Sequence, residues 1–358
     1  MATVETLISK LKLPIELGNY PYVCARVKGK KSKLLAKDAY ARLLKMEIPS
    51  ISRFLGEGQY REELLALGAK YSGVDLIEMA TRDNLAQVFT QIIRFSEADL
   101  KTMVSRFLDR WDVWNVKTII RGKSCGASQE EILESLVPAG SFSLEFLGKL
   151  AEKETIEEVM EELKATIYYV ALQEAKGKNE EFPPVAVFED ALDHAYYSYL
   201  LETVPPTTLP MQLFRMFIQK EIDMVNLRTL LRAREEVDRI ERDIFIEGGL
   251  ELPKAKLESL VPLSVEELLP RLRKCSFYEE ISGPLREMEK EGLNKVVRAL
   301  EKHHLKEASK YSHIHPLSIL PVLDYVISKE IEVENIRIIA RGKRDGLSES
   351  TITDLLVI

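Results

Sequence analysis

The 358-residue chain is short of the residues that staple, break or anchor a fold. Its three cysteines, Cys24, Cys125 and Cys275, are odd in number and form no Cys-x-x-Cys pair. That pattern supports neither a disulfide framework nor a zinc ribbon, and fits a reducing compartment. With 17 glycines and 15 prolines, the composition is neither fibrous nor low-complexity. The longest run free of Asp, Glu, Lys and Arg is thirteen residues, Tyr311 to Leu323, and it contains Pro316 and Pro321. It falls short of the roughly 20 apolar residues that a membrane-spanning helix needs. No basic segment followed by an apolar core and a small-residue cleavage site opens the sequence. The expectation is a chain that works in the cytosol with no transmembrane helix.

What is present reads as globular and helical: 46% apolar and 30% charged residues. The length exceeds one ordinary hydrophobic core, so two or three units are expected. A net charge of -7 argues against nucleic acid as a partner, because its backbone recruits Lys and Arg by counterion release. Residues 1–45 nevertheless carry ten basic side chains against Glu5, Glu16 and Asp38. Such a terminus is read either as a solvated surface or as a face toward anionic headgroups or an acidic partner.

One segment occurs three times. Asp112-Val-Trp-Asn115-Val-Lys117-Thr-Ile-Ile-Arg121-Gly-Lys123 recurs from Asp223 through Asn226, Arg228 and Arg232 to Arg234, and from Glu332 through Asn335, Arg337 and Arg341 to Lys343. The asparagines are 111 and 109 residues apart. Downstream, Ser128, Ile132 and Leu136-Val137 match Ser348, Ile352 and Leu356-Val357. In the middle copy the match is placed at Leu260-Val261, which implies about 13 inserted residues around Glu235 to Gly249. Apolar residues at spacings of three and four make all three segments helices. Gly122, Ala233 and Gly342 are read as helix-closing positions. Sustained strand alternation is absent; the nearest approach to it is Tyr20 to Lys28. Further helices are expected over 38–45, 60–70, 145–175, 188–202, 265–273 and 284–308, with linkers at Pro138, at Pro183-Pro184, at Pro205-Pro206 and at Pro262. The division is into repeats 1–138, 139–262 and 263–358.

Little of the chain resembles chemistry. Gly122-Lys123-Ser124 lacks the upstream glycine and the preceding strand of a phosphate loop. His303, His304, His313 and His315 have no cysteine at compact spacing, so hydrogen-bonded histidines are expected rather than zinc. Asp112, Asp223 and Glu332 are read as members of salt-bridged helical surfaces, each with its own Lys or Arg. Whether the three asparagines cross-link the helices or face water stays open. No nucleophile sits beside a paired base.

The tandem Asn-x-[Lys/Arg]-x-x-x-Arg-x-[Lys/Arg] signature, in a chain of this length, resembles the C subunit of the archaeal/vacuolar-type (A/V-type) rotary ATP synthases, the equivalent of the d subunit of the eukaryotic vacuolar proton pump. The resemblance runs from Tyr22 to Leu356, with Ala233 departing from the glycine of the other copies. It implies an all-α protein of three pseudo-threefold-related repeats forming a closed funnel, with neither an active site nor a cofactor. It further implies a peripheral protein on the cytoplasmic side of the membrane, linking the proteolipid rotor ring to the central-stalk subunits and transmitting torque. The candidate interface is Asn115, Lys117, Arg121, Asn226, Arg228, Arg232, Asn335, Arg337 and Arg341, whose basic members are expected to ring one mouth. A helical-repeat adaptor with an open concave face is the alternative.

Overall fold

The computed structural model describes residues 18–177, 184–233 and 244–358. The described residues are helical, without a strand. In chain order the helices are α1 (Tyr20–Lys31), α2 (Lys37–Leu43), α3 (Ile48–Gly56), α4 (Arg61–Leu67), α5 (Gly73–Phe95), α6 (Ala98–Leu108), α7 (Arg110–Ser124), α8 (Gln129–Ser135), α9 (Leu144–Glu152) and α10 (Ile156–Glu162). They continue as α11 (Tyr168–Lys176), α12 (Val185–Thr203), α13 (Leu209–Ala233), α14 (Lys254–Leu260), α15 (Val265–Leu272), α16 (Tyr278–Arg286), α17 (Met288–Glu291), α18 (Leu293–Ile314), α19 (Leu320–Arg344) and α20 (Glu349–Leu355). Tyr20 to Lys28 is helical, and the expected helix over 145–175 is broken into α9, α10 and α11. Ser143 and Thr155 cap the first two of these pieces, each accepting a backbone N–H in the first turn. Ser128 and Ser348, matched by sequence, likewise cap α8 and α20.

The signature lies on α7, α13 and α19. A long helix packs beside each: α12 against α7, α18 against both α13 and α19, and α5 against α19. The succession α7, α12, α13, α18, α19, α5 returns to α7 where the Phe89 ring meets Trp111. The N-terminal helix α1 lies along α19, with Lys31 on Asp324 and the Cys24 thiol donating to the Ser318 carbonyl.

Gly122 and Gly342 lie inside their helices. Those helices close four residues later, at Gly126 and Gly346, with φ of +71° and +70°. The inner glycines serve packing: a Cβ would stand 2.6 Å from Ile132 at Gly122, and 2.7 Å from Ile352 at Gly342. The short helices α8 and α20 fold back onto those bare positions. The corresponding stretch after Ala233, including Arg234 and most of the expected insertion, lies outside the described residues.

Candidate functional site

The asparagines of the signature are buried, at 0%, 0% and 1% exposure for Asn115, Asn226 and Asn335. Each amide bonds the backbone of one residue twice. The Asn115 Nδ2 donates to the Val137 carbonyl at 2.7 Å, and its Oδ1 accepts the Val137 N–H at 2.8 Å. Asn226 holds Ile246 in the same way, and Asn335 holds Val357. An amide matches a peptide group donor for acceptor, so both buried polar groups are satisfied at once.

The acid one turn earlier completes a clamp. Asp112 accepts the N–H groups of Ser141 and Phe142, and Asp223 accepts those of Leu250, Glu251 and Leu252. Glu332 accepts the Leu35 N–H, the Tyr60 hydroxyl and the buried Lys329 ammonium. These carboxylates are 1% exposed, so no salt-bridged surface forms: Asp112 and Asp223 make charge-assisted bonds to loop backbone, and Glu332 keeps an ion pair with Lys329 inside the core. Burial pushes the Asp112 carboxyl up to about 7 against the two N–H donors that favour its ionised form. The Asp223 carboxyl is likewise raised by burial.

The middle clamp also corrects the register of the repeat. The residue equivalent to Val137 and Val357 is Ile246, 20 residues after its asparagine rather than 22. Leu260-Val261 belongs to α14 and its C-terminal cap, so no 13-residue insertion separates signature from clamp. In the third clamp, Glu332 reaches Leu35 at the other end of the sequence.

The basic candidates are not free charges. Lys117 pairs with Asp193, and Arg121 pairs with Glu189, both on α12. Arg341 grips Glu78 on α5 through two bonds of 2.6 and 2.7 Å. Arg337 is half-buried with its Nε unbonded, and burial lowers its pKa. Arg228 is half-buried, while Arg232 is exposed. Of the nine candidates, Arg121, Arg232 and Arg341 are exposed; the asparagines lie in the core and offer a partner nothing.

Sequence reading missed a polar node two residues before each clamp acid, where the copies carry Arg110, Glu221 and Glu330. The Arg110 guanidinium and the Tyr197 hydroxyl both donate to Glu221 Oε1 at 2.6 Å, and His304 approaches Oε2. The Trp111 indole donates to Glu330 at 2.9 Å. Burial opposes the Glu221 charge, but Arg110 with His304 outweighs it and holds the carboxyl well below its usual range. Burial raises the Glu330 carboxyl. Only the Lys-Glu pair preceding the last two signatures hinted at this position, because the first copy breaks the pattern with Asp109-Arg110.

Among the described residues no group of three metal-ligating side chains forms, and no helix is long and apolar enough to cross a membrane. The class defined by these features is a helical scaffold whose charged groups are spent on holding its own loops and helices together. The chain belongs to the ATP synthase (C/AC39) subunit family, whose model matches residues 23–355. It is 43% identical to the C subunit of the A-type ATP synthase of Methanococcoides burtonii, over 98% of this chain and 97% of that one. Identity is 42% to the protein of the same description in Methanosarcina acetivorans, covering 95% and 93%, and 38% to that in Haloferax volcanii, covering 95% and 98%.

Proposed function

We propose that the chain is the non-catalytic connector of an A-type, V-type-like rotary ATP synthase, seated on the cytoplasmic side between the membrane proteolipid ring and the central stalk and passing torque between them. The three units form a funnel around one axis, driven by proton or sodium flow through the ring. The observation that carries this reading is the clamp repeated on three helices that meet at one polar node. Each clamp fixes a loop to its helix through buried, fully bonded groups, and the node ties the helices to one another through Arg110–Glu221 and Trp111–Glu330. A torque link must not yield under load, and satisfied buried networks favour one rigid arrangement.

The bond from Glu332 to Leu35 joins the first unit to the last and supports a closed body over the open array of an adaptor. Purification of the tagged chain from its native membranes in mild detergent is expected to recover proteolipid and central-stalk subunits together. Recovery of the chain alone, or with unrelated soluble proteins, overturns the reading. A scattering profile of an elongated open array would favour the adaptor instead.

A further inference from the structure

Two of the turns between long helices carry no charge. Residues 203–214, which lead from α12 into α13, and 311–323, which lead from α18 into α19, contain no Asp, Glu, Lys or Arg. Both lie at one end of the molecule, because α13 and α18 run antiparallel. Arg228 is within electrostatic reach of Glu301, Glu221 meets His304, and Lys220 meets Glu307 and the Tyr311 ring. Helix α1 starts at the same end: the Cys24 thiol donates to the Ser318 carbonyl, and farther along the same course Lys31 pairs with Asp324. That end presents Leu209, Ile314 and Leu317 at 62%, 56% and 63% exposure, with Tyr22 at 51%. Single exposed apolar residues are ordinary; four at one end, three of them on uncharged turns, form a patch that calls for a partner. The third corner, between α5 and α6, adds Arg94 and Glu97, which balance. Behind the tip, α1 is basic. Arg26, Lys28 and Lys30 pair with no carboxylate among the described residues: the Arg26 guanidinium lies over the Phe95 ring at 4.6 Å, and Lys30 donates to the Gln91 side chain. At 1.5 Å per residue they rise about 6, 9 and 12 Å above Tyr22, a span comparable with the Debye length of roughly 8–10 Å.

We propose that this end contacts lipid directly: Leu209, Ile314, Leu317 and Tyr22 enter the headgroup layer of an anionic bilayer, and the basic collar on α1 stands over its phosphates. The layout is that of an interfacial surface, in which apolar and aromatic tips sit at the boundary and Lys and Arg lie on the adjoining polar side. Tyr22 suits the boundary, since its ring packs edge-on against Phe95 and its hydroxyl accepts from Arg26, so apolar body and polar tip point to different surroundings. A protein partner of fixed shape is recognised by charges of both signs in register. An uncharged tip behind a collar of one sign needs no register, and fits a fluid surface of repeating anions. Contact of that kind holds the end down while leaving the body free to turn over the lipid. The inference goes beyond the connector reading and concerns this chain and a bilayer alone.

The test is sedimentation of the full chain with vesicles of phosphatidylcholine, either pure or with about a third replaced by phosphatidylglycerol. The native chain is expected to bind the anionic vesicles, to bind the neutral ones far less, and to come off the former as salt is raised. Arg26→Gln with Lys28→Gln is expected to weaken binding about twentyfold, from two surface charges lost. Leu209→Ser with Leu317→Ser is expected to weaken it about tenfold, from the apolar area no longer buried. All four replaced side chains are exposed, so the fold is not at stake, and unchanged melting temperatures check that. Equal binding to both kinds of vesicle overturns the proposal. So does a leucine variant that binds as the native chain does, which would reduce the surface to a general anion site. Binding only to neutral vesicles that carry the proteolipid ring would assign this end to protein instead of lipid. None of these results touches the connector reading, which stands or falls on co-purification.

Discussion

The signature helix α13 packs differently from α7 and α19, although it carries the same clamp. One hydrophobic cluster takes in α7 and α19 along their lengths together with α5, α12 and the start of α13. A second cluster runs from Leu227 to Leu300 and takes the C-terminal half of α13 with the helices after it. The border falls between Ile222 and Leu227, at the Asp223–Asn226 clamp. Polar groups occupy that border: Lys220 pairs with Glu307 and Glu251, and His303 approaches Glu280. A signature can thus reproduce its local hydrogen bonds while its neighbours decide whether the unit fuses with the main core. Stability in such a chain need not be uniform, and the smaller core is expected to open as its own cooperative unit.

The comparison is tested most severely by core truncation. Leu268→Ala, in the smaller core, is expected to cost about 2–5 kcal/mol and to raise hydrogen exchange over 254–300 while α5 and α7 stay protected; Ile119→Ala should expose both regions. Loss of protection everywhere in both variants would mean that the two cores are one. Next in size, Asn115→Ala and Asn226→Ala each strand a buried peptide group, at a cost on the order of 3 kcal/mol. The first is expected to lower the main unfolding transition alone and the second, which sits at the border and holds Ile246 of the main cluster, to lower both, as read by calorimetry. Gly122→Ala should cost about 1–3 kcal/mol, because the new methyl overlaps Ile132. Ala233→Gly in the middle copy should cost only about 1 kcal/mol or less, as a helix-propensity effect.

The remaining expected effect is on pH dependence. The Asp112 carboxyl titrates near 7 in the folded chain against an ordinary value of 3.8, so its contribution is complete below that lower value and is lost as pH rises through 7. Asp112→Asn should flatten that decline in the main transition. Asp223→Asn should do the same for the separate transition, since its carboxyl is raised in the same direction. Thermal unfolding across this pH range checks both, and a steeper decline in either variant would contradict the assignment.

The helical class, the triplication of the signature and the family were legible because periodicity and spacing survive divergence. The role of the signature was not. An acid three residues before an asparagine and flanked by bases reads as surface, and only the fold shows Asp112 turned onto the backbone of 141–142. The middle register misled because Leu260-Val261 resembles Leu136-Val137 in residue type, whereas the amide of Asn226 selects a position by distance along the loop and is indifferent to the side chain there. The glycines after Arg121 and Arg341 looked like helix ends because contact with a later isoleucine leaves no local trace. The node escaped because Arg110 stands where the other two copies carry glutamate, so a search for similarity across all three passes over it.

The Glu332–Leu35 bond imposes an order on how the molecule is made. Asn115 and Asn226 find their partners within 22 and 20 residues, so both loops can settle soon after their helices are synthesised. Leu35, on the N-terminal side, waits 297 residues for its acceptor. Loop-closure entropy and topology make such a contact late and slow. Until α19 emerges, the Leu35 N–H and the Tyr60 hydroxyl lack the carboxylate they are built around. The segment that holds Leu35 and Tyr60, made long before α19, is therefore among the last to become native, and its nascent surface is where a chaperone would have the most to cover.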